Sequence, residues 1–149
     1  MALALSFTML CGTSVAVVSA ATSGSCGATG SKVNYSYDES TNVLTIYGTG
    51  AIRDYYNSTA AGLRAPWYEY KSKCVSIVIQ DGVTKIGNFN FSNMTALKSV
   101  TFPSSSLTAI SMNAFEGCKA LTQVVFPNSL TSIGYSAFKD CTNLAKVVY

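Results

Sequence analysis

LTAISMNAFEGCKALTQVVF, residues Leu107 to Phe126, is followed after Pro127-Asn128-Ser129 by LTSIGYSAFKDCTNLAKVVY, residues Leu130 to Tyr149. The two stretches start 23 residues apart and agree at Leu107/Leu130, Thr108/Thr131, Ile110/Ile133, Ala114/Ala137, Phe115/Phe138, Cys118/Cys141, Leu121/Leu144, Val124/Val147 and Val125/Val148. A third copy runs through Val83, Ile86, Phe91, Met94, Leu97, Val100 and Phe102, and is one residue longer because Ser104-Ser105-Ser106 stands in place of Asn128-Ser129. A partial copy, Cys74, Ile77 and Ile79, precedes it. Repetition at this spacing predicts a solenoid, because a unit this short cannot bury its apolar face alone and must stack on its neighbour.

Within one unit, Leu121, Val124 and Phe126 end on the two-residue alternation of a strand, and Pro127 closes it by withholding a backbone donor. Ala114, Phe115 and Cys118 suit a short helical or irregular return leg over Met112 to Lys119 that buries Phe115, with Phe138 buried in the same way one unit later. The fold class expected is therefore an α/β repeat solenoid, dominated by β-structure. It is a short right-handed stack of 23–24-residue units over residues 74–149 behind an N-terminal β-rich cap over residues 21–73.

The residues Ile110 to Phe115, Cys118, Leu121, Val124 and Pro127, with Ile133, Phe138, Cys141, Leu144 and Val147, resemble the BspA-like leucine-rich repeat family, also called the Treponema pallidum type. The resemblance covers Cys74 to Tyr149 and extends upstream, where Leu44 to Ala51, Asp54-Tyr55 and Ala65 to Tyr68 look like the region that precedes such repeats in secreted bacterial proteins. It implies a right-handed solenoid with strands on one face, exposed on a cell surface or secreted, and engaged in adhesion or other protein contacts rather than catalysis. The chain departs from that pattern in having few repeats and in reaching Tyr149 on a strand.

In the cap, Val33, Tyr35 and Tyr37 alternate with polar residues, Asp38 to Asn42 are turn formers, and Val43 to Tyr47 reads as a second strand, so a hairpin is expected. Pro66 opens a short helix that sets Trp67 over the end of the repeat core. Gly48-Thr49-Gly50 reads as a turn rather than a phosphate loop, since no third glycine or lysine follows in frame.

Composition narrows the chemistry. The 149 residues are 48% hydrophobic and 11% charged, which favours a packed core over disorder. The sequence has no histidine, so histidine triads, histidine bases and histidine-containing zinc sites are excluded. Ten basic against seven acidic residues contain no basic run, and nucleic acid is not an expected partner. Residues 1–20 are apolar, precede the first charge at Lys32 and end Val18-Ser19-Ala20, a signal-peptide ending; a mature chain would begin near Ala21, be secreted or held at the cell surface, and carry no membrane span once the leader is removed. Retention of the leader as an anchor is the alternative, since Met1 to Ser6 carries no Lys or Arg.

Cys118 and Cys141 occupy equivalent slots within disulfide reach, but Met94 fills the same slot, so buried free thiols are expected over a bridge. Cys26 and Cys74 are the better pair for a disulfide joining cap to first unit, with a buried thiol at Cys74 as the rival, since it aligns with Leu97, Leu121 and Leu144. No cysteine spacing fits zinc, and no metal or cofactor is expected. Asp38 and Glu39 read as solvated turn residues, and Asp54 and Glu69 have no evident partner, so none of the seven acids is assigned a catalytic role. Asn34, Asn57, Asn90 and Asn93 begin glycosylation sequons, of which Asn57 is the most accessible.

The leading functional expectation is a noncatalytic surface or secreted interaction protein whose partner is an extracellular or host protein. The strand face would carry it, with Val78, Thr101, Val125 and Val148 stacked outward in one column and Ser76, Ser99, Gln123 and Lys146 in the next. A tyrosine-rich cap surface around Tyr55, Tyr56 and Tyr68 is the second candidate. The alternatives are a structural N-terminal piece of a larger repeat protein, with self-association through the last unit, and an enzyme, for which no motif is present.

Overall fold

The computed structural model describes residues 22–58, 60 and 62–149, so the leader expected at 1–20 lies outside the described residues. The strands in chain order are β1 (Thr22–Ser25), β2 (Lys32–Asp38), β3 (Val43–Ala51), β4 (Ser76–Ile79), β5 (Val83–Ile86), β6 (Ser99–Thr101), β7 (Ala109–Ile110), β8 (Gln123–Val125), β9 (Ser132–Ile133) and β10 (Lys146–Val148). A short 3-10 turn, Tyr68–Tyr70, follows Pro66 and Trp67.

β1, β2 and β3 form the antiparallel cap, and the expected hairpin pairs Tyr37 with Leu44 and Tyr35 with Ile46. β3 then joins cap to repeats by changing partners along its length. Its first half runs parallel to β4, Val43 opposite Ser76 and Ile46 opposite Ile79, while Gly50 and Ala51 pair with β5. Two parallel ladders descend from it: β4 pairs with β6, and β5 pairs with β7, which pairs with β9.

Gly48-Thr49-Gly50 is therefore not a turn but the second half of β3. The change of partner brings backbones too close for side chains. Gly48 and Gly50 have φ of 108° and 105°, a Cβ on Gly48 would fall on the Lys32 carbonyl oxygen, and one on Gly50 would lie 2.5 Å from the Ser31 hydroxyl.

Of the two forms expected for the return legs, helical or irregular, the irregular one is found. Among the described residues there is no α-helix, and Met112 to Lys119 are turns. Asn93, Asn113 and Ser136 take left-handed φ near 55–60°, which ends any right-handed helical run. The amides of these legs bond across to the following copy instead of along a helix: Phe91 N to Ala114 O, Asn113 N to Tyr135 O and Phe115 N to Ala137 O, at 2.8, 3.1 and 2.8 Å.

Those cross-copy bonds set the aromatic side chains in columns. Trp67, Phe91, Phe115 and Phe138 follow one another with centroids 5.4, 5.1 and 5.1 Å apart. Trp67 is buried where the sequence places it, over the end of the repeat core, and its Nε1 donates to Asn90 O at 2.7 Å. Asn90 is itself buried, its amide donating to Arg53 O and accepting from Gly87 N, so it ties cap to repeats. That burial removes it as a glycan acceptor, whereas Asn57 is exposed. Phe115 is fully buried, but Phe138 is only partly so, because no described residue lies beyond its stretch to cover it.

Candidate functional site

The strand face is built by register. Ser76 lies opposite Ser99 and Val78 opposite Thr101, while Gln123 lies opposite Lys146 and Val125 opposite Val148. The inward residues Ile77 and Val124 are buried, which turns their neighbours outward. Ser99, Thr101, Gln123, Val125 and Lys146 are exposed, Ser76, Val78 and Val148 half-buried, and Val125 retains 52% of its surface. The Ser99 hydroxyl donates to that of Ser76 at 3.1 Å, linking the polar column across β4 and β6.

The face is not one unbroken ladder. β6 closes the sheet that begins at β4, and β8 pairs only with β10, so the columns are interrupted between Thr101 and Val125. This interruption falls at the longer unit carrying Ser104-Ser105-Ser106, where Ser104 and Ser105 turn back to the Asp81 carboxylate and Ser106 bonds Gly82 N and Val83 O. The rings of Phe102 and Phe126 keep the two strands together beneath, 5.8 Å between centroids. Above them opens a groove of about 380 Å³, lined by Ser99, Val100, Thr101, Phe102, Gln123 and Val125.

The alternative tyrosine surface is smaller than the sequence implies. Tyr55 is buried against Trp67 with a hydroxyl that has no hydrogen-bond partner, and burial pushes its pKa up to about 12. Tyr68 is covered by Arg64 and Lys71, whose cationic ends lie 4.6 and 4.0 Å from its ring centroid. Tyr56 alone of the three stands well exposed.

The acids have structural partners. Asp38 accepts from the Ser40 hydroxyl and amide, which hold its carboxyl below the usual range. Asp54, for which the sequence offers no partner, accepts from Asn88 N at 2.8 Å, and Glu69 pairs with Arg64 at 2.6 Å. Among the described residues no group of three or more His, Cys, Asp or Glu could hold a metal, and no helix is long and apolar enough to cross a membrane.

The described cysteines, Cys26, Cys74, Cys118 and Cys141, are free thiols. The proposed bridge between Cys26 and Cys74 does not form because they sit at opposite ends of β2. Cys26 N bonds Val33 O, whereas Cys74 lies by Tyr37 and Leu44; four residues of strand, about 13 Å, exceed disulfide reach. Burial pushes Cys26 up to about 12 and Cys74 to about 11. Cys118 and Cys141 occupy equivalent slots, each thiol donating to a backbone carbonyl of the preceding copy, Phe91 O at 3.2 Å and Phe115 O at 3.1 Å.

The sequence of residues 65–149 matches the model of the BspA type leucine rich repeat region (6 copies). The chain belongs to that leucine-rich repeat family. None of the curated proteins is similar enough in sequence to match it. Among solved structures, a leucine-rich repeat protein from Eubacterium ventriosum is similar with a TM-score of 0.64 and 23% identity, over 87% of this chain and 40% of that one. The chain thus spans well under half the length of that relative. A leucine-rich repeat protein from Bacteroides capillosus gives a TM-score of 0.54 at 16% identity, over 78% of this chain and 92% of the other. The leucine-rich repeat protein of T. pallidum is 26% identical with a TM-score of 0.40, over 76% and 66% of the two chains. Leucine-rich repeats of this family point to protein–protein interaction in general.

Proposed function

We propose that the protein is a noncatalytic leucine-rich repeat protein, secreted or displayed at the cell surface, that binds an extracellular or host protein and so mediates adhesion. Its paired strands are read as turns of a right-handed solenoid of 23–24-residue units, with the outward residues of β4, β6, β8 and β10 as the contact face. The observation that carries this reading is the half-apolar face around Val125, 52% exposed beside a groove of about 380 Å³ and rimmed by Gln123, Ser99 and Thr101. An apolar centre within a polar rim is the make-up of a contact surface.

The test is to change Gln123→Lys and Val125→Lys together, show that the variant is folded and monomeric, and compare its adhesion to immobilised extracellular matrix proteins and to partner cells with the parent. Loss of adhesion supports the strand face, and unchanged adhesion removes it. Export is tested separately, by N-terminal sequencing of the protein recovered outside the cell: a start near Ala21 agrees with a cleaved leader, and Met1 contradicts it.

A second reading, a structural part of a larger repeat protein, is favoured by the exposed apolar residues Ile133, Val147 and Tyr149 on the final copy. A genomic reading frame that runs past Tyr149 into more repeats would support it.

A further inference from the structure

We infer that the partner recognised by the strand face is an acidic, extended peptide segment, gripped by Lys73, Lys98, Lys119 and Lys146 and seated in the groove between β6 and β8. The inference rests on the strand face being the binding face and adds the chemistry of what binds there.

In the sequence these lysines lie more than twenty residues apart and form no basic run. Stacking gathers them. Lys98 N donates to Val75 O, two residues on from Lys73 in the turn that leads into β4, and Lys146 lies opposite Gln123, four residues on from Lys119 in the turn that leads into β8. Lys98 immediately precedes β6 and Lys146 opens β10, so the two stand on the strands that flank β8. Charges of one sign on both sides of β8 add to the field over the groove.

The stripe is unneutralised. All four lysines are exposed, and the ion pairs among the described residues are Arg64 with Glu69 and Lys139 with Glu116. Residues 71–80, 94–103, 118–127 and 141–149, which form these strands and the approaches to them, contain no Asp or Glu. The nearest acids in sequence are Glu116 and Glu69, which pair with Lys139 and Arg64, and Asp81 and Asp140 at the borders of these stretches, of which Asp81 is engaged by Ser104 and Ser105. Lys71 is not counted, because its Nζ is spent on Tyr68, 2.8 Å from the hydroxyl.

Charge alone would suit any polyanion, and the groove selects among them. Val100, Phe102 and Val125 make part of its lining apolar, and Ser99, Thr101 and Gln123 add neutral hydrogen-bonding groups without a fixed charge. A peptide offers an apolar side chain to such a lining and carboxylates to the lysines beside it, whereas a sulfated glycan offers only the second.

The probe is a fluorescein-labelled peptide of about ten residues alternating Glu and Val, long enough to cross the four strands at about 3.3 Å per residue. It is compared by fluorescence anisotropy with a Lys/Val peptide of equal length and with a heparin oligosaccharide, on the parent, on the double variant Lys98→Glu with Lys146→Glu, and on Lys85→Glu, which lies in the other ladder. The expected result is binding of the Glu/Val peptide alone, weakening with salt, and loss of about tenfold in affinity on the double variant with Lys85→Glu unchanged. Tighter binding of heparin than of the peptide would replace the peptide by a glycan and overturn the inference. So would equal affinity for parent and double variant. If adhesion falls on changing Gln123 and Val125 but not on changing Lys98 and Lys146, the face stands and the acidic partner fails. If the peptide binds through the lysines while adhesion ignores both changes, the adhesive function fails and the lysine stripe stands.

Discussion

The Phe115 ring lies stacked on that of Phe138, with centroids 5.1 Å apart and planes inclined by 6°. Phe115 is enclosed on its other face by Phe91, also 5.1 Å away, and at its edge by Phe102, whereas Phe138 has Phe126 at its edge but a described ring on one face only. Phe115→Ala should therefore destabilise the fold by about 3 to 5 kcal/mol, and Phe138→Ala by clearly less, because a truncation at the open end leaves no closed cavity. Denaturant unfolding of both variants measures the difference; equal losses would mean that the column does not carry the core.

Gly48 and Gly30 both have positive φ, 108° and 81°, yet only Gly48 is crowded, since a Cβ at Gly30 meets nothing within 4 Å. Gly30→Ala isolates the conformational cost, of order 1 kcal/mol or slightly more. Gly48→Ala adds displacement of the Lys32 carbonyl from the junction where β3 leaves the cap for the repeats, and should cost several times as much. Thermal melts of the two variants side by side test the comparison. Similar melting temperatures would contradict the close approach.

Alkali should unfold the protein earlier than its modest charge would suggest. Cys26 and Cys74 are raised from 9 to about 12 and about 11, and Tyr37 and Tyr55 from 10 to about 12, in each case first of all by burial. These groups are neutral when protonated, so between their ordinary and raised values the folded chain holds protons that the unfolded chain has released. Stability is then full below about pH 9 and falls as pH rises towards 12. Unfolding free energy measured from pH 7 to 11 should be flat and then decline. Replacing Cys26 with Ala or Ser should make the decline shallower, and an unchanged slope would show that this thiol does not contribute.

Much of this architecture is legible in the sequence because it is periodic. The slots of Phe91, Phe115 and Phe138, the hairpin of Tyr35 and Tyr37, and the outward pairing of Gln123 with Lys146 all follow from alternation and repetition. What escapes is decided by contacts that a single unit does not encode. Val83 to Ile86, Ala109-Ile110 and Ser132-Ile133 become a second ladder because parallel neighbours at matching heights pair, although each strand is too short to show alternation. Gly48 and Gly50 look like turn residues and are strand residues, because the demand for a missing Cβ comes from Ser31 and Lys32 at the start of the neighbouring β2. The groove between β6 and β8 likewise arises where two outward strands stack without pairing, which no single copy encodes.

The open face of the last copy gives the remaining prediction. Ile133 and Val147 occupy positions equivalent to the buried Ile110 and Val124, yet retain 45% and 43% of their surface. Beside them a cleft of about 330 Å³ is lined by Phe126, Pro127, Leu130 and Tyr149 among others. β9 and β10 each have one described strand neighbour, which leaves the outer edge of both without a pairing strand. Apolar surface and open strand edges on one face favour covering by another copy, so the isolated chain should dimerise end to end as its concentration rises into the high micromolar range. Sedimentation velocity over a concentration series would show it. Ile133→Lys with Val147→Lys should return the protein to a monomer without lowering its melting temperature much, since both side chains are already half in water. Gln123→Lys, on the strand face, should leave the dimer intact. A chain that stays monomeric at every concentration, or a dimer that survives the Ile133 and Val147 changes, would show that this face does not drive association.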